Sequence, residues 1–400
     1  MMNARDRCRW VEELVAERCF TAVTGPLTFG AELELLAFDS ESHAISPIFP
    51  GANGLRATLD LAREVGSRLG WAEHVSDKGV PRFRAQHGGA LTFEPGGQLE
   101  YASGVHLSVD GLLRDLCAVE TVLTEAGDAR GMLLMPVGVD PFNGPDAAPL
   151  QLDAPRYSRM ARYFASIGID GARMMRQTAS VQVNVGGIPV RERWVAANAI
   201  APWLVALFAN SSRYAGVDTA CASYRSETWR GVDVSRTGVF AGGDSVGEYA
   251  RFALGARAFL ADDAAPPFGA LRDDQLSDET LEAHLSTLFP EMRPRGYLEI
   301  RSLDAIGAQA RTVAVALIAG SLADETAAHE VAELLGPPDE DLLRRAGRYG
   351  REDPRIAAAT PDLIGIAERG CRRLGTTVIS ERSVGALRDV DLAVRSSDVP

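Results

Sequence analysis

The chain has 400 residues, 46% hydrophobic and 24% charged, with a formal net charge of -13. That balance supplies an ample globular core and excludes disorder as the default. The acidic surplus excludes the basic field that nucleic acid or an anionic membrane surface would require, leaving small molecules or protein as partners.

Along the chain, the opening stretch MMNARDRCRWVEELVAERCF is charged throughout and lacks an apolar leader core. The spacing of Trp10, Leu14 and Val15 predicts a helix over about 5–20. LTFGAELELLAFD reads as a strand, and a helix is expected over about 55–69. After a loop comes LTFEPGGQLEYAS, which sets Glu94 and Glu100 on either side of a Pro-Gly-Gly turn inside an apolar, strand-like run. Taken alone, such a turn is a solvated hairpin, because acids are mostly exposed. Ser108 or Asp110 caps the next helix, GLLRDLCAVETVLTEAG; MLLMPVGVD is a short strand, and PFNGPDAAPLQLDAP a surface connection. RYSRMARYFASIG then reads as helix and MMRQTASVQVNVGG as strand. VRERWVAANAIAPWLVALFANSSRYA reads as a long, mostly buried helix interrupted near Pro202. Helices over about 244–260 and 277–288 precede the strand GYLEIRSLD, and about 308–375 is helical throughout.

No internal repeat and no Gly/Ser-rich linker breaks the chain. The expectation is one α+β domain over residues 1–400, with a catalytic core at about 25–310 and a helical C-terminal portion at about 308–400. The longest apolar run, TVAVALIAGSLA from Thr312, is too short to span a bilayer. Cysteines 8, 19, 117, 221 and 371 are scattered, odd in number and without a C-x-x-C, which reads as reduced thiols in a cytoplasmic, soluble protein with no zinc site. Lys78, in SDKGV, is the only lysine. A P-loop is therefore absent and a Schiff-base lysine disfavoured, so any phosphate or carboxylate must be held by arginine, backbone amides or metal.

The chemistry lies in the polar alternations. In GAELELLAF, Glu32 and Glu34 share one strand face while Ala31, Leu33 and Leu35 take the other. SVQVNV repeats the pattern with Gln182 and Asn184 opposite three valines, and YLEIRS repeats it with Glu299 and Arg301 opposite Leu298 and Ile300. One such strand is a wet face. Four polar segments carrying five Glu, two amides and one Arg are different: on one concave surface those acids cannot all ionise unless cations share the site. Mg²⁺ or Mn²⁺ with oxygen ligands is the natural answer, and carboxylate-held metal points to phosphate chemistry. Arg176, Arg225, Arg236 and Arg301 lie in or beside these segments and can complete a clamp, although a single arginine is most often a surface residue.

The ordered blocks TFGAELELLAF, LTFEPGGQLEYAS, YSRMARYFASIGIDGARMMRQTASVQVNV, LFANSSRYAG, SYRSETWRGVDVSRTG and HLSTLFPEMRPRGYLEIRSLDA make the chain similar to plant-type glutamate-cysteine ligases. Their bacterial relatives, including those serving ergothioneine synthesis, share the resemblance, which runs over residues ~28 to ~310. It implies a glutamine synthetase-like catalytic fold, a curved antiparallel sheet forming a funnel with helices outside. It also implies metal-binding roles for Glu32, Glu34, Glu94, Glu100 and Glu299, with Gln182 facing the metal. Arg225 and Arg236 would hold substrate carboxylate or nucleotide phosphate, and Arg301 would stabilise the transferring phosphoryl group. The implied substrates are ATP, glutamate and cysteine, and a homodimer is allowed. The cysteine pairs that give the plant enzymes redox control have no counterpart, so no disulfide switch is expected. Two alternatives stand beside this: a glutamate ligase for a different amine, and a non-catalytic binding protein on the same fold.

Overall fold

Alternating polar and aliphatic residues give residues 28–39 their strand character, and in the computed structural model they form the long β1 (Thr28–Asp39) at the centre of the sheet. The structure describes residues 4–21, 25–51, 54–75, 79–152, 154–259 and 266–390, so Lys78 lies outside the described residues. The other strands are β2 (Ala72–Val75), β3 (Pro81–Arg84), β4 (Ala90–Phe93), β5 (Leu99–Ala102), β6 (Met132–Met135) and β7 (Ser180–Gly186). A separate two-stranded ribbon, β8 (Arg213–Tyr214) with β9 (Val217–Asp218), precedes β10 (Met292–Pro294) and β11 (Leu298–Asp304). The sheet order is β10-β11-β7-β1-β5-β4-β3-β2, with β6 on the far half of β1. Every pairing is antiparallel.

One face of this sheet is closed by helices. Leu33, Val181, Val183 and Ile300 are buried, in one hydrophobic cluster with residues of the helices Val190–Leu207 and Ala308–Leu322. Both helices are apolar nearly all round, as buried helices must be. The expected α+β fold, antiparallel sheet with helices outside and a helical C-terminal portion, is the one observed. The C-terminal helices dock on the rest through Asp110, whose carboxylate accepts the Ser380 N–H at 2.7 Å and the Ser380 and Ser383 hydroxyls at 2.6 and 2.7 Å. That leaves Ser108 as the cap of the helix Val109–Asp128, its hydroxyl accepting from the Gly111 N–H at 3.1 Å.

The structure departs from the sequence reading at five points. Pro202 does not interrupt its helix, which runs from Val190 to Leu207, because burial on all sides holds a backbone that proline alone would loosen. The helix ends there, and the following ANSSRYA is loop and ribbon. Met174 to Gln177 close a helix, Asp170–Gln177, rather than opening the strand, which begins at Ser180. Tyr224–Val232 forms a helix absent from the sequence reading, capped by Ser223. The Pro-Gly-Gly turn is a hairpin between β4 and β5, as expected, but Pro95 through Gln98 are buried. A Cβ added at Gly96 would lie 2.2 Å from the Arg176 carbonyl oxygen, so only glycine lets the turn pack under the end of the helix Asp170–Gln177.

Candidate active site

The register of the strands decides which polar residues meet. Glu34 pairs with Glu100 across β1 and β5, and Glu32 pairs with Gln182 across β1 and β7. Glu299 on β11 pairs with Asn184. Directly opposed side chains lie close enough to feel one another's charge. Above this face opens a cavity of about 590 Å³. Glu32, Glu34, Glu94 and Glu100 line it, and Gln182, Arg225 and Arg301 line it from β7, the helix Tyr224–Val232 and β11.

The acids are crowded and it shows in their protonation. Burial first, then repulsion from Glu100 and Glu299, pushes the Glu32 carboxyl up to about 7, outweighing Arg301 and Arg293. Glu34 is pushed up to about 7 by burial and then by Glu100, although Arg225 and the Ser180 N–H favour its ionised form. Its oxygens accept the Ser180 N–H at 2.8 Å and the Gln182 side-chain amide at 3.0 Å. Burial, the charge of Glu94 and a hydrogen bond with Glu94 push Glu100 up to about 8, and Glu94 is itself raised by burial and Glu34. The Thr92 hydroxyl donates to Glu100 at 2.9 Å. Four carboxyls that resist ionisation beside one cavity are an incomplete electrostatic arrangement.

The cationic side is built by β10 and β11. Arg293 stands opposite Glu299 in register and grips it with a two-pronged fork, Nε to Oε2 at 2.7 Å and Nη2 to Oε1 at 2.6 Å. Arg301 Nη1 reaches the same Glu299 Oε1 at 2.6 Å and also donates to Gln182. Burial alone would raise Glu299, but Arg293 and Arg301 outweigh it and hold the carboxyl down to about 2. Glu299 therefore sits behind the cavity lining as the counter-ion of two arginines in this arrangement. Arg225 lies 4.8 Å over the ring of Trp229 and donates from Nη2 to the Arg301 carbonyl at 3.1 Å. The buried Nε of Arg225 and that of Arg301 have no hydrogen-bond partner among the described residues.

Besides Glu299, three residues expected in the site lie outside the cavity lining. Arg236 is fully buried, and its donors go to Asp233 at 2.9 Å, to the Thr287 carbonyl at 2.8 Å and to the Arg257 carbonyl, with Phe259 4.1 Å from the guanidinium. It clamps the loops that carry Phe289 to the cavity, in place of the phosphate or carboxylate contact expected of it. Arg176 is half-buried and donates to the Ala172 carbonyl at 3.2 Å, within its own helix. Asn184 stands on the polar face between Gly30 and Glu299, its Oδ1 without a partner among the described residues. Sequence reading missed Arg293, although opposite charges on the shoulders of the RPRGYLE hairpin were a signal for it. It also missed Arg18, Arg156 and Tyr157, which line the cavity from helices whose motifs are not polar alternations.

Among the described residues, no three His, Cys, Asp or Glu side chains form a ready metal cage. What fits a hard divalent cation is the donor set: carboxyl oxygens of Glu32, Glu34, Glu94 and Glu100, with ionisation opposed by their neighbours until a cation joins them. Glu299 is instead engaged by two arginines and stands outside the cavity lining.

An antiparallel sheet with helices behind it thus brings acids and arginines together over one cavity. The chain belongs to glutamate-cysteine ligase family 2, whose model matches residues 28–390, and it is an enzyme of the ligase class. The glutamate–cysteine ligase EgtA of Mycolicibacterium smegmatis is 33% identical to it over 308 residues, covering 70% of this chain and 70% of the relative. The chloroplastic glutamate–cysteine ligase A of Oryza sativa is 27% identical over 376 residues, covering 85% of this chain and 74% of the relative. The crystal structure of glutamate–cysteine ligase from Francisella tularensis in complex with AMP shares the fold at a TM-score of 0.54 and 13% identity, over 94% of this chain and 83% of that one.

Proposed function

We propose that this chain joins the γ-carboxylate of glutamate to the amine of cysteine at the expense of ATP, giving γ-glutamylcysteine through a glutamyl phosphate. The observation that carries the reading is the convergence of Glu32, Glu34, Glu94 and Glu100 with Arg225 and Arg301 on one cavity. In the first step a γ-carboxylate oxygen attacks the γ-phosphorus of ATP and ADP leaves. In the second, the cysteine nitrogen attacks the acyl carbon, phosphate leaves, and the nitrogen loses a proton. No protein nucleophile is required.

Mg²⁺ or Mn²⁺ held by Glu32, Glu34, Glu94 and Glu100, with Glu299 available on release of an arginine, would neutralise charge on the phosphoryl oxygens. Arg301, fixed by Glu299 and Gln182, is the donor for the transferring phosphoryl group; Arg225, braced on Trp229, is the donor for a substrate carboxylate or phosphate. Positioning of the two reactants does most of the rest. The whole chain is read as one ligase domain, because a single hydrophobic cluster includes residues from Val11 to Val390.

Phosphate release from ATP with glutamate and a panel of amines tests this directly. Cysteine is expected to be the best acceptor, with 2-aminobutyrate poorer but real, since one thiol or methyl contact supplies only about 1 to 3 kcal/mol. A different amine at a hundredfold better kcat/KM, with cysteine at background, would replace the acceptor and leave the ligase. Glutamate binding without turnover on any amine would mark a binding protein on a ligase fold.

A further inference from the structure

Asp304 ends β11, three residues past Arg301, and is buried beneath two loops. Its Oδ2 accepts the Asn210 N–H at 2.7 Å and the Ser211 hydroxyl at 2.6 Å, and its Oδ1 accepts the Ser223 hydroxyl at 2.8 Å. Both serines pass the restraint onward. Ser211 Oγ accepts the Arg225 N–H at 3.1 Å, and Ser223 Oγ caps the same helix by accepting the Ser226 N–H at 3.0 Å. The Arg225 guanidinium then folds back, with Nη1 3.9 Å from Asp304 Oδ1. One carboxylate therefore restrains Arg225 at its backbone and at its charged end.

The carboxylate is itself immobile. A Cβ on Gly138 would lie 2.5 Å from Asp304 Cγ, so the backbone behind it approaches as closely as glycine permits. Gly138 is in turn tied to the loop by its N–H, which donates to the Asn210 carbonyl at 3.0 Å. Three donors and a guanidinium converge on one side chain, and only a group that accepts on both oxygens serves all of them. An asparagine keeps one acceptor and turns a donor toward hydroxyls that already donate.

We infer that Asp304 is a positioning residue for Arg225, fixing through Ser211 and Ser223 the direction in which the guanidinium meets a bound substrate. This rests on the reading that Arg225 contacts substrate. Asp304 touches no reacting atom and works only through that arginine.

The test is a double-mutant cycle of Asp304→Asn and Arg225→Ala on the full chain, read as kcat and KM for ATP, glutamate and cysteine, with melting temperatures alongside. Asp304→Asn should lower kcat/KM about 10- to 100-fold, with the same division between kcat and KM that Arg225→Ala shows. In the Arg225→Ala background it should add no further loss. Ser211→Ala removes one bridge and leaves the carboxylate, so it decides the matter even where Asp304→Asn does not fold. Its expected loss is about 2- to 10-fold, and again none on top of Arg225→Ala. Losses that multiply in the double variants, or wild-type kinetics in a folded Asp304→Asn, overturn the inference. The cycle is also run on Kd for glutamate and for ATP. Absence of turnover in the wild type then removes the ligase reading, while coupling between Asp304 and Arg225 is still decided on Kd.

Discussion

Glu32, Leu33 and Glu34 are consecutive on one strand, yet they belong to two regions with opposite physics. Leu33 faces the helices with Val181, Val183 and Ile300, all essentially without solvent exposure. Burial of that face stabilises the fold by roughly 1.5–3 kcal/mol for each large side chain. Glu32 and Glu34 face the cavity, where burial and mutual repulsion raise their carboxyls. That side works against stability unless a cation compensates it. The strand thus separates holding the fold from presenting the chemistry by one step of the pleat, and substitutions one residue apart should have effects of different kinds.

The largest expected effect falls on the cavity side. Glu32→Gln should remove ligation while leaving the fold intact, and the metal-free variant should melt no lower than the wild type, because a repelled charge has gone. Full activity of this variant, or of the wild type in excess EDTA, would show that the acids do not hold a catalytic metal. Leu33→Ala is the partner experiment. It should lower the unfolding free energy by about 2–5 kcal/mol through lost burial and a cavity, with kcat/KM of the folded protein close to wild type. Loss of activity without loss of stability in Leu33→Ala would break the separation.

Next in size is Arg225→Ala, with an expected loss of about 1.5–3 kcal/mol in transition-state or substrate binding for a charge-assisted contact. Arg225→Lys should not restore it, since a lysine neither stacks on Trp229 as a plane nor donates from two nitrogens to Arg301 and substrate together. Unchanged kinetics would return Arg225 to a structural role beside Arg236.

The contrast also explains what was legible in the sequence. The two faces of β1, β7 and β11 could be read because a strand alternates with period two, so a short polar pair framed by aliphatics declares its own geometry. Arg293 was legible only by pairing the opposite charges on the shoulders of its hairpin, because its partner Glu299 is named by register, which composition does not reveal. Arg236 and Arg225 look alike in sequence, each an arginine in a polar loop. Only depth separates them, since Arg236 is fully enclosed by Asp233, Thr287 and Arg257 whereas Arg225 keeps an edge on the cavity. Asp304 gave no sign, because a polar residue at a strand end normally meets water. The misread segments have different causes: Pro202 as a break was a local propensity that packing overrode, whereas Met174 to Gln177 follow the helix propensity of methionine and glutamine, which the strand reading passed over.

The smallest effect is a slope rather than a loss. Folded, metal-free protein keeps protons on Glu32 and Glu34 up to about 7 and on Glu100 up to about 8, whereas unfolded carboxyls lose theirs near 4.5. Over that window the folded state binds more protons, so these groups make stability fall as pH rises. Glu299 has the opposite sign: held down to about 2, it contributes stability above about 4.5 that is lost as pH falls toward 2. Melting temperature of the EDTA-treated protein should therefore drop between pH 5.5 and 8 more steeply than that of Glu100→Gln, which lacks one of the titrating carboxyls. Mg²⁺ or Mn²⁺ should raise the wild-type melting temperature more at pH 8 than at pH 5.5, because the cation favours the ionised acids. Parallel slopes for the two proteins, or equal cation stabilisation at both pH values, would mean that the cavity acids already have their charge balanced by the arginines.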